Sequence, residues 1–433
     1  MVIIIYYMLD KKQQSAIDKI KNGKNILITG PAGTGKSTVL RIGIQELQKK
    51  YPNKKNIAKT STTGISALLI GGSTLHSWAG IGLGDRPIEV LIAGIRGNKF
   101  KLEKWMKVKV LIIDEISMLS VELFDMLEKI ARVLRNNDEP FGGIQLVFSG
   151  DFLQLPVVKS SKLCFEAKSW KKCVDSIVYL TDIYRQDNEE FQKCLNEVRL
   201  GICSEKTTKM LESRVGVKFD GDILPTRLFS TRKNVDSINN KELALLNNKK
   251  YTYTSVIDVK NSFNSEYYRK SIYNSSRVKP EIKLCIGAQV MLTANLDVKQ
   301  GLCNGSRGII TAFNNNNNPI VKFYNNIIEE IEIHTWEYKI DDVSITLKQI
   351  PLQLSWAMSI HKCQGATLQL VEIDLGDTIF EFSQSYVALS RVRSLDGLSL
   401  ISFNPDKIKA HPSAINFYNE LTDMEELPPY SEN

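Results

Sequence analysis

Apolar residues along this chain fall into two patterns, short unbroken runs and runs spaced three and four apart, and the two alternate through its first half. Residues 26–29, 57–60, 108–113 and 144–150 are short apolar-rich runs bounded by polar or glycine-rich segments; each reads as a strand, and those at 26–29, 108–113 and 144–150 read as buried. Between them, Ala16, Ile17 and Ile20 mark one helix, and Val39, Leu40, Ile42, Ile44 and Leu47 mark a second directly behind the first strand. A third begins at Ile65, Ala67, Leu68 and Leu69, and a fourth covers 121–134. This alternation predicts an α/β fold. The periodicity fades between 77 and 105, where several glycines intervene, as expected of an insertion projecting from a sheet. Five asparagines at 314–318 separate two strand-like stretches and read as a solvated hairpin loop.

The chemistry sits where the strands end. The first strand runs into Gly-Pro-Ala-Gly-Thr-Gly-Lys-Ser at 30–37, which meets every fixed position of the phosphate-loop pattern G-x-x-x-x-G-K-[ST]. Glycines there let the backbone amides turn toward a nucleotide's phosphates while the next helix presents its positive end. Gly33, Thr34, Gly35, Lys36, Ser37 and Thr38 are the expected nucleotide contacts, with Lys36 on the β and γ phosphates and the Ser37 hydroxyl on a magnesium ion. The strand at 108–113 ends in Asp114-Glu115, which supplies a second magnesium anchor in Asp114 and a general base for an attacking water in Glu115. Gln154, just beyond the strand at 144–150, is a neutral bidentate group suited to sensing the γ phosphate. Gln13, on the first helix, offers a donor and an acceptor to an adenine edge. Thr63 and Gly64 open a helix, where they serve equally as a cap or as a phosphate site. His76 and Trp78 lie among glycines and can stack on unpaired bases, although a lone Trp is more often core.

Composition narrows the partners. At 433 residues the chain is expected to hold two or three domains, and its 43% apolar and 24% charged content is that of a globular protein. A net charge of +8 permits an anionic partner without demanding one. Seven cysteines with no C-x-x-C pair argue against a zinc site or a disulfide framework and suit an intracellular setting. The apolar residues 1–9 are too few for a membrane span and read as a leading strand or arm, and the acidic end at 424–433 reads as a loose tail.

These segments, in this order, resemble the petite integration frequency (Pif) family of DNA helicases in superfamily one. LDKKQQ is similar to its glutamine motif, GPAGTGKS to its phosphate loop, STTGISALLIGGSTLHSWAGIG to its first strand-contacting motif, and DEISML and GDFLQLPVV to its magnesium and sensor motifs. Residues 121–145 resemble the stretch that sets this family apart. LTDIYRQ at 180–186, PLQLSWAMSIHKCQGAT at 351–367 and YVALSRVR at 386–393 are similar to the later motifs. Cys363 and Val157 depart from the usual Ser and Pro. The resemblance implies two RecA-like P-loop domains: a first at 1–180 with a wedge insertion at about 77–104, and a second at 181–284 and 351–424. A small Src-homology-3-like β-barrel would be inserted at 285–350, and 425–433 would be a tail. It implies ATP and Mg2+ as cofactors, catalytic arginines at Arg185 and Arg391 that act on domain closure, and DNA contacts from Thr63, Gly64, His76, Trp78, His361 and Lys362. Expected partners are single-stranded DNA and single/double-strand junctions, with quadruplex DNA a candidate. Neither a membrane nor a second copy is expected. ATP-driven travel from 5′ to 3′ and duplex unwinding follow as the expected activity, against the alternatives of a DNA-stimulated remodeller, an RNA helicase or a simple phosphotransferase.

Overall fold

The unbroken apolar runs lie side by side in one sheet. The structure, a computed structural model, describes residues 9–82, 84–157, 162–219, 223–230, 235–259, 265–275, 278–297, 300–302, 304–340, 343–363 and 366–426. Two units divide the chain, 1–185 with 411–433 and 186–410. In the first unit, β1 (Ile26–Thr29), β2 (Ile57–Ser61), β3 (Ser73–Thr74), β4 (Val110–Asp114), β5 (Gln145–Gly150) and β6 (Ser176–Tyr179) form a sheet in the order β3-β2-β4-β5-β1-β6. Every neighbouring pair is parallel. All residues of β1 and β4 are buried, which is why those strands carry no polar alternation. Because the strands are parallel, the segments that follow β1, β2, β4 and β5 all leave from one edge of the sheet, where ligands bind in open α/β folds.

Helices α1 (Lys11–Lys21) and α2 (Lys36–Lys50) cover one face, burying Ile17, Ile20, Val39, Leu40 and Leu47 against Ile26, Ile28, Ile112 and Val147. Short helices α3 (Gly64–Leu69) and α4 (Leu75–Ala79) follow β2. The insertion, weakly periodic in sequence, is mostly helical: α5 (Ile88–Arg96) and α6 (Lys99–Lys107) pack on each other and on α7 (Val121–Arg135). Asn98 starts α6 by accepting from the Phe100 and Lys101 amides.

One domain assignment is corrected. The helix Pro412–Glu426 belongs to the first unit and not to the second, and it runs past the expected start of the tail. The cause is its aromatic face. Phe417 stacks on Phe165 with ring centroids 4.4 Å apart and meets Phe152 edge-on at 5.3 Å, and Tyr418 packs on Tyr179.

The second unit holds a parallel sheet of four strands, in the order Ala357–Ser359, Thr226–Phe229, Val371–Leu375, Leu398–Phe403. Beside it is a five-stranded antiparallel sheet, ordered Ile328–Glu330, Pro319–Phe323, Arg307–Phe313, Gln289–Leu292, Leu352–Leu354, with Val290, Leu292, Ile310, Val321 and Phe323 in its core. A three-stranded sheet of His334–Ile340, Val343–Gln349 and Val256–Val259 adjoins, so the antiparallel part draws on strands outside the expected 285–350. The asparagine run is the hairpin expected of it: Asn314 Oδ1 accepts from the amides of Asn316 and Asn318, and Asn317 takes φ 62°. Among the described residues no helix is long and apolar enough to cross a membrane. The apolar arm at 1–8 and the tail at 427–433 lie outside the described residues.

Candidate active site

The phosphate loop is shaped by glycine. Gly35, the residue before α2, takes φ 83° and ψ 14°, and a Cβ there would sit 2.6 Å from Gln13 Nε2. No side chain caps α2 and no acidic residue occupies its first turn, so the positive end of a 15-residue helix is left for an anion. Lys36 curls back along the loop, its Nζ donating to the Gly30 and Pro31 carbonyls at 2.8 Å each. Thr34 is buried and its Oγ1 donates to Pro31 O, whereas Ser37 is exposed at the helix start. Gln13 is buried beside them. Its Nε2 donates to Thr34 O at 3.2 Å and its Oε1 accepts from the Asp10 amide, so the glutamine ties α1 to the loop.

The acidic pair ends β4, next to β5 and two strands from the loop. Asp114 is buried, and Ser66 Oγ donates to its Oδ2 at 3.2 Å. Burial pushes the Asp114 carboxyl up, opposed by hydrogen bonds from Ser149, the Glu115 amide and Ser66 and by the charge of Lys36. Glu115 is half-buried with φ 54°, a left-handed conformation that costs a non-glycine residue about 1–3 kcal/mol. Its carbonyl accepts from Thr62 Oγ1 at 2.8 Å, and the Asp114 carbonyl accepts from Ser61 Oγ at 3.1 Å, so the segment after β2 is bolted to the acidic corner. Gln154 is buried on the segment after β5, its amide bonded to Asp151 O.

The loop, Gln13, Asp114, Glu115 and Gln154 therefore gather along one edge of the sheet. Thr63 and Gly64 start α3 on that edge, and Thr63 Oγ1 accepts from the Ser66 amide, the capping option of the two open for it. His76 is half-buried, and burial holds its imidazole below the ordinary histidine range. Trp78 corrects the stacking expectation. It is 8% exposed, its ring lies 4.7 Å from that of Trp105, and the Trp105 indole donates to Ala79 O, so it is core.

Arg185 is half-buried at the end of the first unit's first segment. Arg391 belongs to the second unit and is 2% exposed, with Nε donating to Val387 O and Nη2 to Ser390 Oγ. His361 is half-buried in the short helix Ile360–Cys363, and the Lys362 side chain lies outside the described residues.

Two features escaped the sequence reading. Ser66 and Ser149 hold Asp114, and Tyr184 lies beside the loop, its amide donating to Gly33 O at 2.9 Å and its hydroxyl to Asp10 Oδ2 at 2.8 Å, with the ring 55% exposed. An aromatic residue directly before Arg185 was the available signal.

This geometry matches known proteins. The family model described as PIF1-like helicase matches residues 8–209, and the DNA helicase Pif1 2B domain matches 268–313. A Pif1 helicase structure from Candida albicans is 35% identical with a TM-score of 0.76, covering 96% of this chain and 100% of that one. The chain belongs to the PIF1-like helicase family. Bacteroides Pif1 in complex with ADP-AlF3 and ssDNA is 30% identical, with a TM-score of 0.65, and covers 97% of this chain and 98% of that one. Xenopus laevis ATP-dependent DNA helicase PIF1 is 40% identical over 421 residues, which cover 95% of this chain and 64% of that protein. Parallel sheets in both units agree with the α/β architecture of these helicases.

Proposed function

We propose that this chain is an ATP-dependent DNA helicase that moves 5′ to 3′ along single-stranded DNA and unwinds duplex or structured DNA. The observation that carries the reading is the joint placement of the phosphate loop and the strained Glu115 on one sheet edge, in a chain of this family. Glu115 takes the proton from the attacking water. Lys36 leaves its loop carbonyls for the β and γ phosphates. Gln154 contacts the γ phosphate. Tyr184 offers an aromatic face and Gln13 an amide edge to adenine.

The magnesium ion fits the residues present. Ser37 and Asp114 are hard oxygen donors that would hold it, and Asp114 is itself held by Ser66. When bound it neutralises charge on the β and γ phosphates. The finger roles of Arg185 and Arg391 rest on the motif resemblance, as do the DNA contacts of Thr63, Gly64, His76, His361 and Lys362. The inserted antiparallel sheets are read as the Src-homology-3-like barrel, helices α5 and α6 as the wedge, and the active species as a monomer.

Strand displacement from a forked duplex tests the proposal. ATP should release the labelled strand from forks with a 5′ tail and leave forks with only a 3′ tail intact. ATP hydrolysis and travel without displacement would instead mark a remodeller, and equal activity on RNA an RNA helicase.

A further inference from the structure

Tyr418 is buried, 3% exposed, and its hydroxyl reaches three groups at once. It donates to Asp151 Oδ1 at 3.0 Å, accepts from the Phe152 amide at 3.1 Å, and lies 2.5 Å from Thr29 Oγ1. A phenol has one proton, so with that proton on Asp151 the Thr29 hydroxyl is the donor in the third bond. The hydroxyl then uses its single hydrogen and both lone pairs.

Its partners stand at a particular place. Thr29 is the last residue of β1 and precedes Gly30, the first residue of the phosphate loop; Asp151 follows Gly150, the last residue of β5. Thr29 and Gly150 are register partners in adjacent parallel strands. Beyond this point the two chains part, one into the phosphate loop and the other into the segment carrying Gln154, whose amide donates to Asp151 O at 2.9 Å. Asp151 Oδ1 also accepts from the Leu153 amide at 3.1 Å. The phenol comes from the helix Pro412–Glu426, 267 residues further along the chain than Asp151.

We infer that Tyr418 is a positioning residue for ATP hydrolysis, a pin that fixes the exit of β5, and with it Gln154, against the root of the phosphate loop. The inference rests on the proposed ATPase reading. The pin differs from a packing contact because the ring and the hydroxyl do separate jobs. Stacking of Phe417 on Phe165, and the tilted contact of the Tyr418 ring with Tyr179, anchor the helix, and neither needs the hydroxyl. The hydroxyl adds a side-chain bridge between the two strand ends, beside the backbone pairing of β1 with β5. Losing it frees the Gln154 segment to shift relative to the loop, and misplacement by about 1 Å can cost a catalytic group on the order of a hundredfold in rate. The phosphate loop keeps its own bonds, from Gln13 to Thr34 and from Thr34 to Pro31, so nucleotide binding is retained.

The test uses the full chain and three variants, Tyr418→Phe, Thr29→Val and the double variant, with single-stranded DNA present. Steady-state hydrolysis, affinity for a fluorescent ADP analogue and the melting temperature are measured for each. The pin predicts that Tyr418→Phe lowers kcat about tenfold or more, with KM for ATP and ADP-analogue affinity changed less than about twofold. Thr29→Val should do the same, and the double variant should be no slower than the slower single one, because both remove the same bridge. If Tyr418→Phe does not fold, Thr29→Val carries the test. An unchanged kcat, or parallel losses of kcat, affinity and melting temperature, would overturn the pin. An inactive unmodified chain would overturn the ATPase reading and the pin together, whereas an active chain indifferent to these variants would overturn the pin alone.

Discussion

Replacing Gly35 by alanine tests the account of the phosphate loop, and Gly23 provides a matched control. Both residues have positive φ, 83° and 80°, so alanine at either meets the same backbone penalty, about 1–2 kcal/mol. They differ in surroundings. A Cβ on Gly23 would find nothing within 4 Å, whereas one on Gly35 would lie 2.6 Å from Gln13 Nε2, too close to remain. Gln13 must then give up its bond to Thr34 O, a further loss of about 0.5–1.5 kcal/mol. Gly35→Ala should therefore destabilise the first unit by about 1.5–3.5 kcal/mol in urea unfolding, against about 1–2 kcal/mol for Gly23→Ala. It should also weaken binding of a fluorescent ADP analogue at least tenfold, about 1.4 kcal/mol, while Gly23→Ala leaves binding unchanged. Equal destabilisation by the two variants with nucleotide affinity intact in both would refute the reasoning, because it would show that the loop's conformation and its Gln13 brace are not what holds the phosphates.

Other substitutions separate the remaining roles. Lys36→Ala should abolish hydrolysis and weaken nucleotide binding, whereas Glu115→Gln should lower kcat by about 10²–10⁴ and still bind ATP, as equilibrium binding of a labelled analogue would register. Trp78→Ala should cost about 3–5 kcal/mol of stability, as for any large buried ring; a loss confined to DNA affinity, with melting unchanged, would restore it as a stacking residue. Arg391→Ala should reduce hydrolysis far more than nucleotide affinity, and equal losses in a side-by-side titration would count against a finger role.

How far the sequence could be read depended on whether a feature was local. The phosphate loop, the acidic pair after β4 and the asparagine hairpin are each specified by residues adjacent in the chain, and the structure places them as expected. The insertion was harder. Its glycines hid two helices whose apolar positions, Leu91, Ile92 and Ile95 in α5 and Trp105 in α6, repeat over too few turns to stand out. Long-range partners were not legible at all. The resemblance placed residues 351–424 in the second domain, and nothing in the spacing of Ala414, Tyr418 and Leu421 says which sheet they cover. Ser66, Ser149 and Tyr184 are common residue types whose importance lies in what they touch, Asp114 for the two serines and Gly33 and Asp10 for the tyrosine. Trp78 sat in a mobile-looking glycine context, yet its partner Trp105 lay 27 positions away, and the two rings bury each other.

The rate of ATP hydrolysis with and without single-stranded DNA is the most direct measurement of the central claim, that the sheet edge bearing Lys36, Glu115 and Gln154 is a DNA-driven ATPase. The account predicts slow turnover alone, strong stimulation by single-stranded DNA, and loss of the stimulated rate in Glu115→Gln. Turnover indifferent to DNA, or undiminished by Glu115→Gln, would contradict it.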